Sequence, residues 1–124
     1  MILVDTSVWV RHFRMEDKSL EDLLKEGEVC CHPFVIGELA CGNLKHRGTV
    51  LSLLQELPST PLAENEEVLT LLESEKLFGQ GLGWIDAHLL ASAMLAESPI
   101  WTLDASLKRA AAHLKIDYLI RTDR

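Results

Sequence analysis

The sequence predicts an α/β fold, in which helices cover both faces of a short central parallel sheet of four to five strands to form an α/β/α sandwich. Two observations carry this prediction. Short apolar runs of strand length recur at residues 1–4, 29–31 and 100–103. Longer segments with helical periodicity lie between them, bounded by capping and helix-breaking residues. Strands that alternate with helices are typical of parallel sheets buried on both faces.

Seven segments are predicted to be helical. Ser7 and Ser19 are the predicted N-caps of the first two, because a serine side chain can accept a hydrogen bond from a free backbone amide. Pro33 suits the first turn of the third helix, and Gly42 ends it. The predicted helices cover residues 8–14, 19–25, 33–41, 47–55, 64–78, 84–97 and 105–113.

Two further extended segments complete the predicted sheet. Residues 57–62 contain two prolines, so they can form only an edge strand or an extended connection. Residues 117–120 are a predicted last strand. Gly79, Gly81 and Gly83 predict a mobile loop, which follows a helix and lacks the spacing of a phosphate-binding loop.

Length and composition predict one domain over residues 1–124, since 48% of the 124 residues are hydrophobic and can build a core. No signal peptide is recognised, and the longest apolar run, residues 89–96, is too short to cross a bilayer. The odd number of cysteines (Cys30, Cys31 and Cys41) favours a reducing compartment. We therefore expect a soluble cytoplasmic protein whose cysteines are buried apolar residues rather than zinc ligands.

Two acidic residues directly follow predicted strands. Asp5 follows the first apolar run, and Asp104 follows the run at residues 100–103. The carboxyl ends of parallel strands line the binding crevice of an open sheet, so these carboxylates would converge if their strands are neighbours. An aspartate at such a position also commonly caps the following helix, and that structural role is the alternative for each of them.

Two further acidic residues lie in apolar helices. Glu38 and Asp86 have no lysine or arginine close in sequence, and an unpaired buried carboxylate is costly. A divalent cation would compensate these charges, and hard oxygen ligands select Mg²⁺ or Mn²⁺ rather than zinc. The formal net charge of −7 argues against nucleic-acid binding by bulk electrostatics alone, but carboxylates neutralised by cations remain compatible with it. Four convergent carboxylates around such ions would be a phosphodiesterase site.

Four sequence blocks in order resemble the signature blocks of PIN domains, and most closely those of the VapC-type toxins of bacterial toxin–antitoxin pairs. The resemblance implies metal-dependent cleavage of single-stranded or loop RNA, a homodimer, and a small antitoxin protein that blocks the site. It also implies that Asp5, Glu38, Asp86 and Asp104 are the catalytic and metal-binding residues. The blocks are residues 5–7, 37–42, 86–91 and 101–104.

Smaller polar residues beside these acids have candidate supporting roles. Thr102 lies two residues before Asp104, so on a strand its hydroxyl would share a face with that carboxylate and could orient it or a metal-bound water. The alternative is an ordinary β-branched strand residue. Thr6 and Ser7 have the same candidate role, although helix capping is the preferred role for Ser7. The candidate RNA-binding residues are Arg11, Arg14, Lys45 and Arg47, for which solvated surface charge is the alternative.

The acidic pocket should attract a partner that supplies positive charge. We expect the carboxyl-terminal segment of an antitoxin to pack apolar side chains against the first two helices and to insert an arginine or lysine among the carboxylates. Trp9, Phe13 and Leu20 are the predicted groove wall, and their alternative role is in the core.

Other functions are open to the same acids. An aspartyl-phosphate phosphatase would usually have a second acid two residues after the first, where this chain has Ser7. A phosphoreceiver domain would usually show paired acids at the first strand, which are absent here. An RNA-processing nuclease of PIN type without an antitoxin, or an inactive PIN-like module, would share the fold.

Overall fold

A three-stranded parallel sheet forms the centre of the fold in the computed structural model, which describes residues 1–119. The strands are β1 (Ile2–Val4), β2 (Val29–Cys30) and β3 (Ile100–Trp101), in the order β2-β1-β3. Leu3 pairs with Cys30 on one side and with Ile100 on the other. The two strands that precede Asp5 and Asp104 are therefore neighbours, as the convergence of these acids requires.

The prediction of four to five strands was wrong for residues 1–119. Within the described part of the chain, the segment at residues 57–62 makes one bridge, between Ser59 and Cys31, because the prolines on either side have no amide hydrogen to donate. Asp117 makes one bridge to Ile100. Residue 120, the end of the predicted last strand, lies outside the described residues.

All seven predicted helices are present in the described part of the chain. Their caps differ from the prediction in the first two, where Asp5 and Asp17 accept hydrogen bonds from backbone amides in place of Ser7 and Ser19. The helices are α1 (Thr6–Met15), α2 (Lys18–Lys25), α3 (Pro33–Cys41), α4 (Arg47–Glu56), α5 (Asn65–Ser74), α6 (Trp84–Ala96) and α7 (Ala105–His113).

Helix α5 ends four residues before its predicted end. Lys76 adopts a left-handed conformation with φ of 53°, and the amide of Leu77 donates to the carbonyl of Leu72 at 2.9 Å. This turn sends the Leu77 side chain into the core, where it is buried. The apolar spacing of the sequence extends to residue 78 and therefore predicted a longer helix. The chain leaves the helix earlier, because the turn at Lys76 lets Leu77 pack in the core.

The core lies between the sheet and the helices, and α6 contributes a continuous buried stretch that includes Leu89 and Leu90. Trp9 and Leu20 are also buried in this core, so the prediction that they form a groove wall was wrong. Phe13, on the same helix as Trp9, is partly exposed. No helix within residues 1–119 is long and apolar enough to span a membrane.

Two of the three cysteines belong to the core. Cys30 and Cys31 are buried, and burial raises the pKa of the Cys31 thiol to about 11, so it stays protonated at neutral pH. Cys41 is exposed at the end of α3, contrary to the expectation that all three are buried.

Candidate active site

Asp5 is the most buried acid of the predicted set, with 5% of its surface exposed at the carboxyl end of β1. Its Oδ2 atom accepts hydrogen bonds from the hydroxyls of Ser7 at 2.7 Å and Thr102 at 2.8 Å, and from the Ser7 amide at 3.4 Å. No hydrogen bond from residues 1–119 reaches Oδ1. One carboxylate oxygen is therefore fixed by the protein, and the other keeps its capacity to bind a cation.

The same hydroxyls connect the ends of the two neighbouring strands. Ser7 Oγ accepts a hydrogen bond from the Leu103 amide at 3.0 Å, and Thr102 Oγ1 accepts one from the Asp104 amide at 3.0 Å. Each hydroxyl donates to Asp5 and accepts from the chain after β3, so the network joins β1 to β3. Ser7 and Thr102 thus lie against the acids that they were predicted to support, and Ser7 acts through its hydroxyl rather than as a cap.

Glu38 reaches the same edge of the sheet from α3. The Thr6 hydroxyl, one residue after Asp5, donates to Glu38 Oε1 at 2.6 Å. Glu38 is exposed, unlike Asp5, so its position depends on this bond more than on packing. The contact spans 32 residues of sequence and brings the α3 carboxylate beside the start of α1.

The remaining two acids lie at helix starts. Asp86 is in the first turn of α6 and accepts a hydrogen bond from the Gly83 amide at 3.4 Å. Asp104 is exposed, caps α7 and accepts from the Leu107 amide at 2.9 Å. Both carboxylates thus lie beside backbone amides at the amino-terminal end of a helix.

The electrostatics of Asp86 connect the four carboxylates. Burial raises the pKa of Asp86, and the negative charges of Asp5, Asp104 and Glu38 raise it further, against the opposing effect of the Gly83 amide. Like charges raise a carboxyl pKa only when they are near it. The other three predicted acids therefore lie within electrostatic range of Asp86, which is on α6; Glu38 is on α3, and Asp5 and Asp104 follow β1 and β3.

The four carboxylates have little positive compensation. Within residues 1–119, none of them forms an ion pair with a lysine or arginine. In the same part of the chain, no three acidic, histidine or cysteine side chains already form a ready-made cation site. Glu38, Asp86 and Asp104 each accept a hydrogen bond from a nearby hydroxyl or amide donor. The donor chemistry fits a hard divalent cation, and binding one would require these side chains to exchange such local bonds.

The candidate RNA-binding residues fall into two groups. Arg11 pairs with Asp17 at 2.6 Å, and Arg47 donates to the Ala40 carbonyl at 2.6 Å near the end of α3, so both have structural partners. Arg14 and Lys45 line a groove of about 680 Å³ that also includes Glu38. The apolar wall of this groove comes from Val10, Phe13, Leu39, Leu44 and Val50.

The glycine-rich loop lies beside the last acid. Gly81 has φ of +88°, and a Cβ atom at this position would lie 2.8 Å from Ser106 Oγ, in the first turn of α7. Only glycine allows this approach without a shift of the loop or of Ser106. The loop is thus held against the helix that Asp104 caps.

Comparison with known proteins identifies the family of this arrangement. The PIN domain matches residues 2–113. The chain belongs to the PIN-domain family. It is 49% identical over 113 residues to Ribonuclease VapC32 of Mycobacterium tuberculosis, in each of two strains, which covers 90% of this chain and 91% of the relative. The VapC-type resemblance predicted from four short blocks is confirmed by this identity.

A solved structure supports the same fold. A chain from the structure of FitAB bound to a DNA fragment superposes with a TM-score of 0.61 at 17% identity, over 90% of this chain and 91% of that chain. The predicted α/β/α architecture is confirmed, with three strands in the described residues rather than four to five.

Proposed function

We propose that this PIN-domain protein is a VapC-type toxin, an endoribonuclease that cleaves RNA phosphodiesters with Mg²⁺ or Mn²⁺ held by Asp5, Glu38, Asp86 and Asp104. One observation supports the proposal: the charges of Asp5, Glu38 and Asp104 act on Asp86, and no lysine or arginine of residues 1–119 pairs with any of the four. Such a cluster repels itself and requires a cation to bind a polyanionic substrate.

The four carboxylates would contribute in different ways. Asp5 is held through Oδ2 by two hydroxyls, so it is the anchor with the least freedom. Glu38 and Asp104 are exposed and can adjust, and Thr6 orients Glu38 through its hydrogen bond to Oε1. When bound, a divalent cation would supply an activated water and would stabilise negative charge on the phosphate. Thr102 and Ser7 would hold the Asp5 carboxylate in place.

The RNA substrate would be positioned by cations at the rim of the acidic cluster. Arg14 and Lys45 line the groove that contains Glu38, so a phosphate held there would lie near the candidate cation site. Arg11 and Arg47 are poorer candidates because Asp17 and the α3 carbonyls already occupy them.

The same groove supports the proposal of an antitoxin partner. Its apolar wall suits the side chains of an extended or helical peptide, and Glu38 at its margin suits an arginine or lysine of that peptide. A basic residue inserted there would compete with the cation for the carboxylates. A homodimer is part of the proposal, and Leu69, Met94 and Leu95 on α5 and α6 are exposed apolar residues available to form it.

RNA cleavage by the purified protein tests the proposed activity. We expect cleavage of single-stranded RNA with Mg²⁺ or Mn²⁺, loss of cleavage in chelator, and recovery when the cation is restored. Glu38→Gln should abolish cleavage, whereas Glu73→Gln removes the same charge from an exposed position on α5 and should not. Cleavage that continues in chelator, or equal effects of the two variants, would reject the carboxylate mechanism.

Co-purification with the product of the neighbouring upstream gene tests the toxin assignment. We expect a tight complex that persists in chelator and suppresses cleavage even when Mg²⁺ is present. A neighbour that does not bind, or that binds without suppressing cleavage, would favour an RNA-processing nuclease that works without an antitoxin.

A further inference from the structure

The two helices that carry Glu38 and Asp86 each expose an aromatic ring that is close in sequence to the acid. Trp84 lies two residues before Asp86 in the first turn of α6 and is 44% exposed. Phe34 lies one helical turn before Glu38 on α3 and is 36% exposed. One exposed aromatic residue is ordinary, but two that contact the same buried side chain form a shared aromatic surface.

A buried histidine holds the two rings together. His88 contacts Trp84 with ring centroids 4.7 Å apart and an interplanar angle of 84°, and it contacts Phe34 at 5.0 Å and 64°. Both are edge-to-face contacts of the kind that aromatic pairs prefer. His88 itself is 4% exposed, and its Nδ1 atom has no hydrogen-bond partner in the described residues. A ring with an unsatisfied nitrogen is a costly choice for packing alone.

His32, at the start of α3, fixes the position of Phe34. His32 Nδ1 accepts a hydrogen bond from the Phe34 amide at 2.9 Å, and the two rings lie 4.9 Å apart. His32 Nε2 lies 3.1 Å from the hydroxyl of Ser92 on α6. The start of α3 is therefore tied to α6, and the exposed rings form a preorganised surface rather than two independent side chains.

We propose that Trp84 and Phe34 form a base-stacking subsite for single-stranded RNA beside the acidic cluster. This inference rests on the proposed ribonuclease function. Nucleotide bases are uncharged and planar, so they can stack on aromatic rings next to carboxylates that would repel a phosphate. The proposed peptide groove is lined by neither Trp84 nor Phe34. The two rings offer enough surface for one or two bases. A stable protein–protein interface buries about 800 Å² on each partner, which two rings cannot supply.

The subsite would place a nucleotide next to the bond that is cut. Phe34 and Glu38 are one helical turn apart on α3, so a base stacked on Phe34 would lie on the same face of that helix as one of the candidate cation ligands. Ring faces accept every base, and the preference between bases would follow stacking strength rather than a hydrogen-bond code. The subsite would therefore increase the affinity for RNA and fix which nucleotide lies at the candidate cation site.

Binding of a fluorescein-labelled single-stranded RNA tests the subsite, in an Asp86→Asn background that prevents cleavage. Trp84→Leu should weaken binding roughly tenfold, which corresponds to about 1.4 kcal/mol of lost stacking. Trp84→Phe should restore most of the affinity, since it keeps an aromatic face. Leu53→Ala removes an exposed apolar side chain from α4 and should leave the affinity unchanged.

Tryptophan fluorescence gives an independent readout. Trp9 and Trp101 are buried, so quenching by added RNA should come from Trp84 and disappear in Trp84→Phe. RNA of the same length and charge without bases should not quench. Unchanged affinity in Trp84→Leu, or no quenching, would overturn the inference, as would a change of molecular mass in Trp84→Leu that reveals a protein–protein contact. Quenching by RNA without cleavage by the wild type would instead reject the ribonuclease proposal and keep the subsite.

Discussion

Replacement of Thr102 by valine tests the hydroxyl network at the strand ends. Valine keeps the shape of threonine, but it removes the donor to Asp5 Oδ2 at 2.8 Å and the acceptor for the Asp104 amide at 3.0 Å. A hydrogen bond to a charged group contributes about 1.5–3 kcal/mol and a neutral one about 1 kcal/mol. The second methyl group of valine offsets part of the loss of these two hydrogen bonds through apolar packing. We therefore expect the free energy of unfolding to fall by roughly 2–3 kcal/mol.

Thr60 provides a matched control. It is 5% exposed against 2% for Thr102, but its hydroxyl has no hydrogen-bond partner within residues 1–119. Thr60→Val removes an unsatisfied buried hydroxyl, so its stability should stay the same or rise by up to about 1 kcal/mol. Urea unfolding in chelator at neutral pH measures both variants, and Thr102→Ser should recover most of the loss. Equal losses in the two valine variants would refute the role assigned to the Thr102 hydroxyl.

Three further perturbations follow from the structure. Burial, and then the charge of nearby His88, lowers the pKa of His32 to about 4 from 6.5. Because the unfolded chain binds that proton more tightly, the stability present above about pH 6.5 should fall by roughly 3 kcal/mol as the pH approaches 4. Urea unfolding midpoints measured as a function of pH should show this fall for the wild type and should not show it for His32→Asn. Gly81→Ala should destabilise by about 1–2 kcal/mol because of its positive φ and the contact with Ser106. Gly37→Ala should stabilise by about 0.5–1 kcal/mol, since within residues 1–119 the added Cβ would meet no atom within 4 Å outside its own helix. Thermal unfolding of both variants tests the difference. Asp86→Asn should leave the metal-free protein as stable as the wild type or more stable, since it removes repulsion among the acids; a clear loss in a urea titration would contradict the crowding of charge.

The acidic site could be predicted because its signals are local in the sequence. Asp5 and Asp104 follow short apolar runs, and parallel pairing of those runs brings their ends together. Glu38 and Asp86 are carboxylates within apolar helices, a pattern that is costly without a compensating charge. The assignment of the seven helices depended on periodicity and on Pro33 and glycine at helix ends, which are equally local.

The features that the sequence did not reveal depend on competition between neighbouring residues for one structural role, or on contacts between residues distant in sequence. Asp17 displaced Ser19 as a cap because both residue types suit the position and only packing decides where the helix begins. Trp9 was assigned to a groove and lies in the core, since the buried face of α1 is chosen by contacts far along the chain. The contact of Phe34 with His88 joins α3 to α6, and no spacing within either helix predicts it, whereas Trp84 and His88 are one turn apart on α6.

Calorimetric titration with Mn²⁺ tests most directly the claim that four carboxylates act as one cation site. We expect the wild type to bind Mn²⁺, and Asp5→Asn, Glu38→Gln, Asp86→Asn and Asp104→Asn each to weaken that binding. Glu73→Gln, which removes a charge from an exposed position outside the cluster, should bind as the wild type does. If Asp5→Asn and Asp86→Asn bind Mn²⁺ as tightly as the wild type, Asp5 is only a helix cap and Asp86 only a partly buried charge. That result would contradict the proposed cation site.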